Sequence, residues 1–179
     1  MIPVIVIRRH YDLKKEDTYL EHGCDYVLKK NKAIRPGGYG VSPYSQRDAY
    51  EQMFAVKKYY GKTTGNQLIH LVVSYDDSIK TEEQACALTC RLAAYYKNDY
   101  QVLFCTHEKD RLCPRYNYHM HMMINSVSYQ DGKMFISSIE NMNRFCEYVT
   151  EITGRKSRLY FAKEREVQEA MNERYKEQY

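Results

Sequence analysis

The run Tyr118-His119-Met120-His121-Met122-Met123-Ile124-Asn125 constrains this chain more than any other stretch. It is short and apolar, which suits a buried strand. Alternate side chains of a strand share a face. His119 and His121 then point one way with Met123 and Asn125, while Met120, Met122 and Ile124 point the other way, into a core. A second apolar run, Tyr100 to Thr106, ends directly at His107. Only a short segment with a Pro-containing loop, Arg111 to Asn117, separates the two runs, as antiparallel neighbours require. Two imidazoles on one strand and a third at the end of the next are the makings of a three-histidine divalent metal site. Three neutral ligands leave positions for water or a phosphate oxygen. A single strand histidine more often serves packing; the triad raises the odds. His70, on the apolar run Leu68 to Tyr75, shares a face with Ser74, and both are candidates for outer contacts of the site or of a phosphate, as is Asn125. A buried structural histidine is an equal reading for His70.

The remaining chain supplies strands and helices in alternation. Ile2 to Ile7 reads as a strand and Glu16 to Lys30 as a helix weakened by Gly23. Asn31 to Pro43, with Pro36, Gly37, Gly38 and Gly40, reads as a loop. Ser45 to Tyr60 reads as a helix closed by Gly61, and Thr81-Glu82-Glu83-Gln84 has the form of a capping box opening a helix to about Lys97. Asp131-Gly132 reads as a hairpin turn with Met134 to Ser137 returning. Ile139 to Thr153 reads as a helix stopped at Gly154. The expected fold is α+β: a central antiparallel sheet with helices packed on one face and the other face open to a substrate. Residues 1–160 form the expected domain, and 161–179 a charged, helix-prone extension leading to further sequence.

Composition narrows the partner class. The net charge is +4, and residues 1–35 hold eight Lys/Arg against five acids. Arg8, Arg9, Lys29, Lys32 and Arg35 are candidate contacts to an anionic polymer. Nineteen tyrosines and no tryptophan offer faces for base stacking, although most must fill the sheet and its surfaces. Six cysteines follow no secretory signal and read as reduced thiols of a cytoplasmic protein. No apolar stretch approaches the ~18 residues needed to span a membrane.

These motifs resemble the relaxase and mobilization nucleases, within the endonucleases named for a His-hydrophobic-His motif. The resemblance rests on Thr106-His107, the acids Glu108 and Asp110, His119-Met120-His121, Met122-Met123-Ile124, Asn125-Ser126-Val127 and Gly132-Lys133. His70 to Ser74 is similar to the family's strand ending in serine. Gly23-Cys24-Asp25-Tyr26-Val27-Leu28, followed by Lys32, is similar to the segment that supplies the nucleophilic tyrosine. Two departures stand out. The spacer between His107 and His119 is longer than the family's, and Lys109 occupies the position where the family has an acid.

The resemblance implies a site- and strand-specific nuclease acting on single-stranded DNA at an origin of transfer, for conjugative mobilization. Tyr26 is then the catalytic nucleophile, with Tyr19 as a second candidate. His107, His119 and His121 hold Mg2+ or Mn2+, and accessory mobilization or coupling proteins are the expected partners. Two rivals remain. A replication initiator or single-strand transposase of the same superfamily would use a tyrosine after the histidines, such as Tyr148. A non-catalytic single-stranded DNA-binding module would keep the histidines as structural residues.

Overall fold

The computed structural model describes residues 1–8, 14, 16, 18–29, 33–108 and 118–163. Along the chain run β1 (Ile2–Arg8), α1 (Tyr19–Val27), β2 (Ala33–Tyr39), α2 (Gln46–Tyr59), β3 (Leu68–Ser74), α3 (Glu82–Ala93), β4 (Val102–Glu108), β5 (Tyr118–Asn125), α4 (Ile139–Thr153) and β6 (Ser157–Lys163). The strands form one six-stranded sheet in the order β2-β4-β5-β3-β1-β6. Every pairing is antiparallel except β1 with β6, which is parallel. The fold is α+β, as the sequence predicts.

Local signals explain most element ends. Ser45 accepts a hydrogen bond from the Asp48 amide at the start of α2, and Ser138 accepts one from Asn141 at the start of α4. Thr81 and Gln84 form the predicted capping box on α3. That helix is shorter than expected, giving way to a 3₁₀ turn at Ala94–Tyr96. Gly154 closes α4 in the left-handed conformation, φ 64°.

The two sheet faces carry different loads. Leu71 and Val73 of β3, Phe104 of β4, and Met120, Met122 and Ile124 of β5 join Leu88 and Leu92 of α3 and Phe145 and Val149 of α4 in the larger core. On the opposite face, Leu68, Leu103, Cys105 and Met123 pack with Leu20, Cys24 and Val27 of α1 and Ala49 and Met53 of α2. The open face is therefore narrower than expected: α1 and α2 cover one end of it, and the histidines occupy the other.

Three stretches correct the sequence reading. The predicted loop Asn31 to Pro43 contains an edge strand, β2, paired with β4. Pro36 is tolerated there because an edge strand can spare an amide. The register slips between Ile34 and Gly37, and Arg35 takes φ 44° at the slip. Gly37 faces the Phe104 ring, where a Cβ would collide. The predicted return strand Met134 to Ser137 is only a single bridge, Val127 with Met134, around a turn in which Gly132 has φ 72°. Finally, β6 was not foreseen. It turns Leu159 and Phe161 towards the larger core and runs to Lys163, so residues 161–163 belong to the sheet. The remainder of the extension expected over 161–179, residues 164–179, and the loop expected over 111–117 lie outside the described residues.

Candidate functional site

Register brings the histidines together. His107 of β4 stands opposite His119 of β5, and Cys105 stands opposite His121. Cross-strand partners share a face, so His107, His119 and His121 all project from the side that carries α1. All three are buried, and one ring nitrogen from each lies within 4.8 Å of the other two. The ring centroids are 4.5 Å apart for His107 and His121, 5.0 Å for His119 and His121, and 5.4 Å for His107 and His119. A first-row ion sits about 2.1 Å from an imidazole nitrogen, so ligand nitrogens on one ion are at most about 4.2 Å apart. Among the described residues no other group of three His, Cys, Asp or Glu side chains meets this test. Burial holds the Cys105 thiol well above its ordinary pKa, which keeps it protonated and a poor ligand. The donor set is thus three neutral imidazoles, which fits a divalent ion and leaves its positive charge undiminished.

His70 of β3 completes the group. It lies opposite Met123 on β5, one cross-strand step from His121, and its Nε2 shares a hydrogen bond of 2.9 Å with His121 Nδ1. Burial, with His107 beside it, pushes its pKa down to about 3, so the ring is neutral. With His121 Nδ1 engaged in this way, Nε2 is the nitrogen His121 can offer to an ion.

Tyr26 reaches the same spot from the last turn of α1. Its ring sits edge-on to His121 with centroids 5.0 Å apart, 5.8 Å from His107 and 6.0 Å from His70. It is 38% exposed, so the phenol borders both the buried rings and solvent. Gly23, one turn earlier, explains how α1 comes so close. A Cβ built there would collide with Leu68 Cδ2 and touch Met123 Sδ at 3.6 Å. The glycine that weakens the helix in isolation is what lets it lie on the sheet.

The other sequence candidates divide. Ser74 stands opposite His119 and is buried, at the histidine end of β3. Asn125 is at the far end of β5. Its amide donates to the Met53 carbonyl at 3.0 Å and to Gln101 Oε1 at 2.8 Å, tying β5 to α2 and to the start of β4. The structure does not bring it to the histidines. Tyr19 is buried in the smaller core, on α1. Tyr148 projects from α4, in the layer behind the sheet, and donates its hydroxyl to the Arg91 carbonyl at 2.9 Å. Lys29 follows α1 and is exposed. Arg35 is exposed and paired with Glu82 at 3.5 Å and Glu83 at 3.7 Å. Arg8 ends β1 beside Lys163, while its side chain, Arg9 and Lys32 lie outside the described residues.

One buried charge escaped the sequence reading. Lys57 of α2 is fully buried, and its Nζ donates to Ser126 Oγ at 2.7 Å. The signal was present: Ala49, Met53 and Lys57 recur at i, i+4, i+8, so the lysine continues the buried stripe of α2.

Comparison with known proteins agrees with this geometry. The family model for the MobA/VirD2-like relaxase nuclease domain matches residues 19–177. No curated protein and no solved structure matches the chain.

Proposed function

Since the chain belongs to the MobA/VirD2-like relaxases and carries their nuclease domain, we propose that it cuts and holds single-stranded DNA through Tyr26. The single observation behind this reading is the phenol ring lying 5.0 Å from His121 at the mouth of the histidine cluster. In the reaction, the Tyr26 oxygen attacks a DNA phosphorus in line with the departing 3′ oxygen. The P–O3′ bond breaks, a 5′-phosphotyrosine ester forms, and the phenolic proton ends on the released 3′-hydroxyl. The ester keeps the energy of the broken bond, so the 3′-hydroxyl can reverse the attack without a nucleotide cofactor.

His107, His119 and His121 would hold the divalent ion, Mg2+ or Mn2+. When bound, it supplies a positive charge that offsets the charge developing on the non-bridging oxygens of the phosphate. The chain's own contribution is positional. β4 and β5 hold three rings on one face, and α1 holds the phenol over them. A free tyrosine has a pKa near 10, so the phenol gives up its proton in the course of the attack. Glu108 ends β4 and is exposed, a weak position for a general base.

Lys29, Arg8, Arg9, Lys32 and Arg35 fit a role in guiding the DNA strand. The substrate of this reading is an origin of transfer, the setting is conjugative mobilization in the cytoplasm, and accessory mobilization or coupling proteins are its partners. No described helix is long and apolar enough to cross a membrane.

The test is an oligonucleotide carrying candidate nick sites, incubated with the protein and Mn2+ and resolved on a denaturing gel. A protein–DNA adduct is expected for the wild type and for Tyr148→Phe, and none for Tyr26→Phe. An adduct of normal yield from Tyr26→Phe refutes the assignment.

A further inference from the structure

Metal-ligating histidines usually donate their second ring N–H to a carboxylate, a backbone carbonyl or water, which fixes the tautomer and raises ligand basicity. In this chain the group at that position is another imidazole. His70 Nε2 lies 2.9 Å from His121 Nδ1, and both rings are buried. We propose that His70 is the positioning residue of the ion site: it accepts the Nδ1 proton of His121 and so commits His121 Nε2 to the ion. The inference rests on the assignment of His107, His119 and His121 as ligands.

Proton counting carries the argument. For His121 to bind an ion through Nε2 as a neutral ring, its one proton must be on Nδ1. The hydrogen bond then needs a lone pair on His70 Nε2, so the His70 proton is on its own Nδ1. No other arrangement of two neutral rings gives both the observed contact and an Nε2 lone pair that His121 can offer to an ion. Two further features favour a positioning role over a fourth ligand. His70 is outside the group of rings whose nitrogens converge within 4.8 Å. It also stands on β3, the neighbour of β5, so the hydrogen bond ties two central strands across the site. A carboxylate in its place would bring a negative charge beside the ion. An imidazole orients His121 equally well and leaves the full positive charge facing an incoming phosphate.

The experiment uses the full chain with Mn2+ as the probe. Ion affinity is measured by calorimetry and electron paramagnetic resonance for the wild type, His119→Ala, His70→Phe and His70→Gln. Folding of each variant is confirmed by thermal melts with EDTA present. The expected result is a loss of about 10- to 100-fold in Mn2+ affinity for His70→Phe. His70→Gln, whose carbonyl can accept the same proton, should recover most of that loss. Long-range proton–nitrogen correlation spectra of the metal-free protein add a readout that a packing role would not move. They should show His121 as the Nδ1–H tautomer in the wild type and in His70→Gln, and a tautomer mixture in His70→Phe. If His119→Ala binds Mn2+ normally, the ligand assignment itself fails. If His119→Ala loses the ion while folded His70→Phe keeps wild-type affinity and tautomer, the ligand set stands and the role of His70 is refuted.

Discussion

Lys57 offers a quantitative test of the packing that supports α1. Its ammonium is fully buried with Ser126 Oγ as hydrogen-bond acceptor, and burial lowers its pKa from 10.5 to about 7. A lowered pKa on a base means that the unfolded chain binds the proton more tightly than the folded one. Stability therefore rises with pH between the two values. The full cost, present below pH 7, is about 5 kcal/mol, since each tenfold change in proton affinity is worth 1.36 kcal/mol. Near pH 7 about half of the folded molecules carry the charge, and the cost is still roughly 4 kcal/mol. At pH 8.5 it falls to roughly 3 kcal/mol, so the wild type gains about 2 kcal/mol from this group over that interval.

Lys57→Met keeps the length and removes the charge. It also leaves the buried Ser126 hydroxyl without its donor, at a cost of roughly 1–3 kcal/mol. The net expectation at pH 7 is a variant more stable than the wild type by roughly 1–3 kcal/mol. Raising the pH to 8.5 should shrink that advantage by about 2 kcal/mol, whatever its starting size. Urea unfolding at the two pH values, with EDTA present, measures both quantities. The buried thiols of Cys24, pushed up to about 12, and Cys105, also raised, act in the opposite direction. Their unfolded forms ionise first, which lowers stability as pH climbs past 9, but they are common to both proteins and cancel. An advantage that stays constant or grows between pH 7 and 8.5 refutes the reasoning, because the folded protein would then hold the ammonium at no cost.

Mn2+ at a hundredfold excess over its Kd should stabilise the wild type by about 2.7 kcal/mol in a thermal melt and leave His119→Ala unmoved; an equal shift in both places the ion elsewhere. Asn125→Ala should cost about 1–3 kcal/mol by orphaning the Met53 carbonyl and Gln101 Oε1, while adduct formation per folded molecule stays normal. A large loss of adduct in the folded variant would return Asn125 to the reactive centre. Thr81→Ala should remove about 1 kcal/mol from α3 through its capping box, measured by urea unfolding, with no change in Mn2+ affinity.

How much of this was legible in the sequence depends on the range of each interaction. The face shared by His119 and His121 follows from the strand's own pleat, and the histidine that joins them ends the next strand of an antiparallel pair. Both facts are local. The capping box, Ser45 and Gly154 are local as well, and they mark real helix ends. β6 is different: its partner is β1, at the other end of the described chain, and the pairing is parallel. No turn signal announces such a partner. β2 was hidden because its Pro36, Gly37 and Gly38 are punctuation in most settings. Only the ring of Phe104 beneath it shows why a residue without a Cβ is needed there.

The position of Tyr26 joins these two kinds of information. Its place in the last turn of a helix is local, but the contact with His121 exists because Gly23 lets α1 settle onto Leu68 and Met123. An alanine at position 23 would favour the isolated helix by about 1 kcal/mol. It would also force Leu68 aside or lift α1 from the sheet, since the new methyl collides with Leu68 Cδ2. Gly23 and Tyr26 are three residues apart, on one face of the helix, so any lift at the first moves the second. Gly23→Ala should therefore reduce adduct yield far more than it alters the melting temperature, whereas a variant that lost both in proportion would show the glycine to be a packing residue with no say in where the phenol lies.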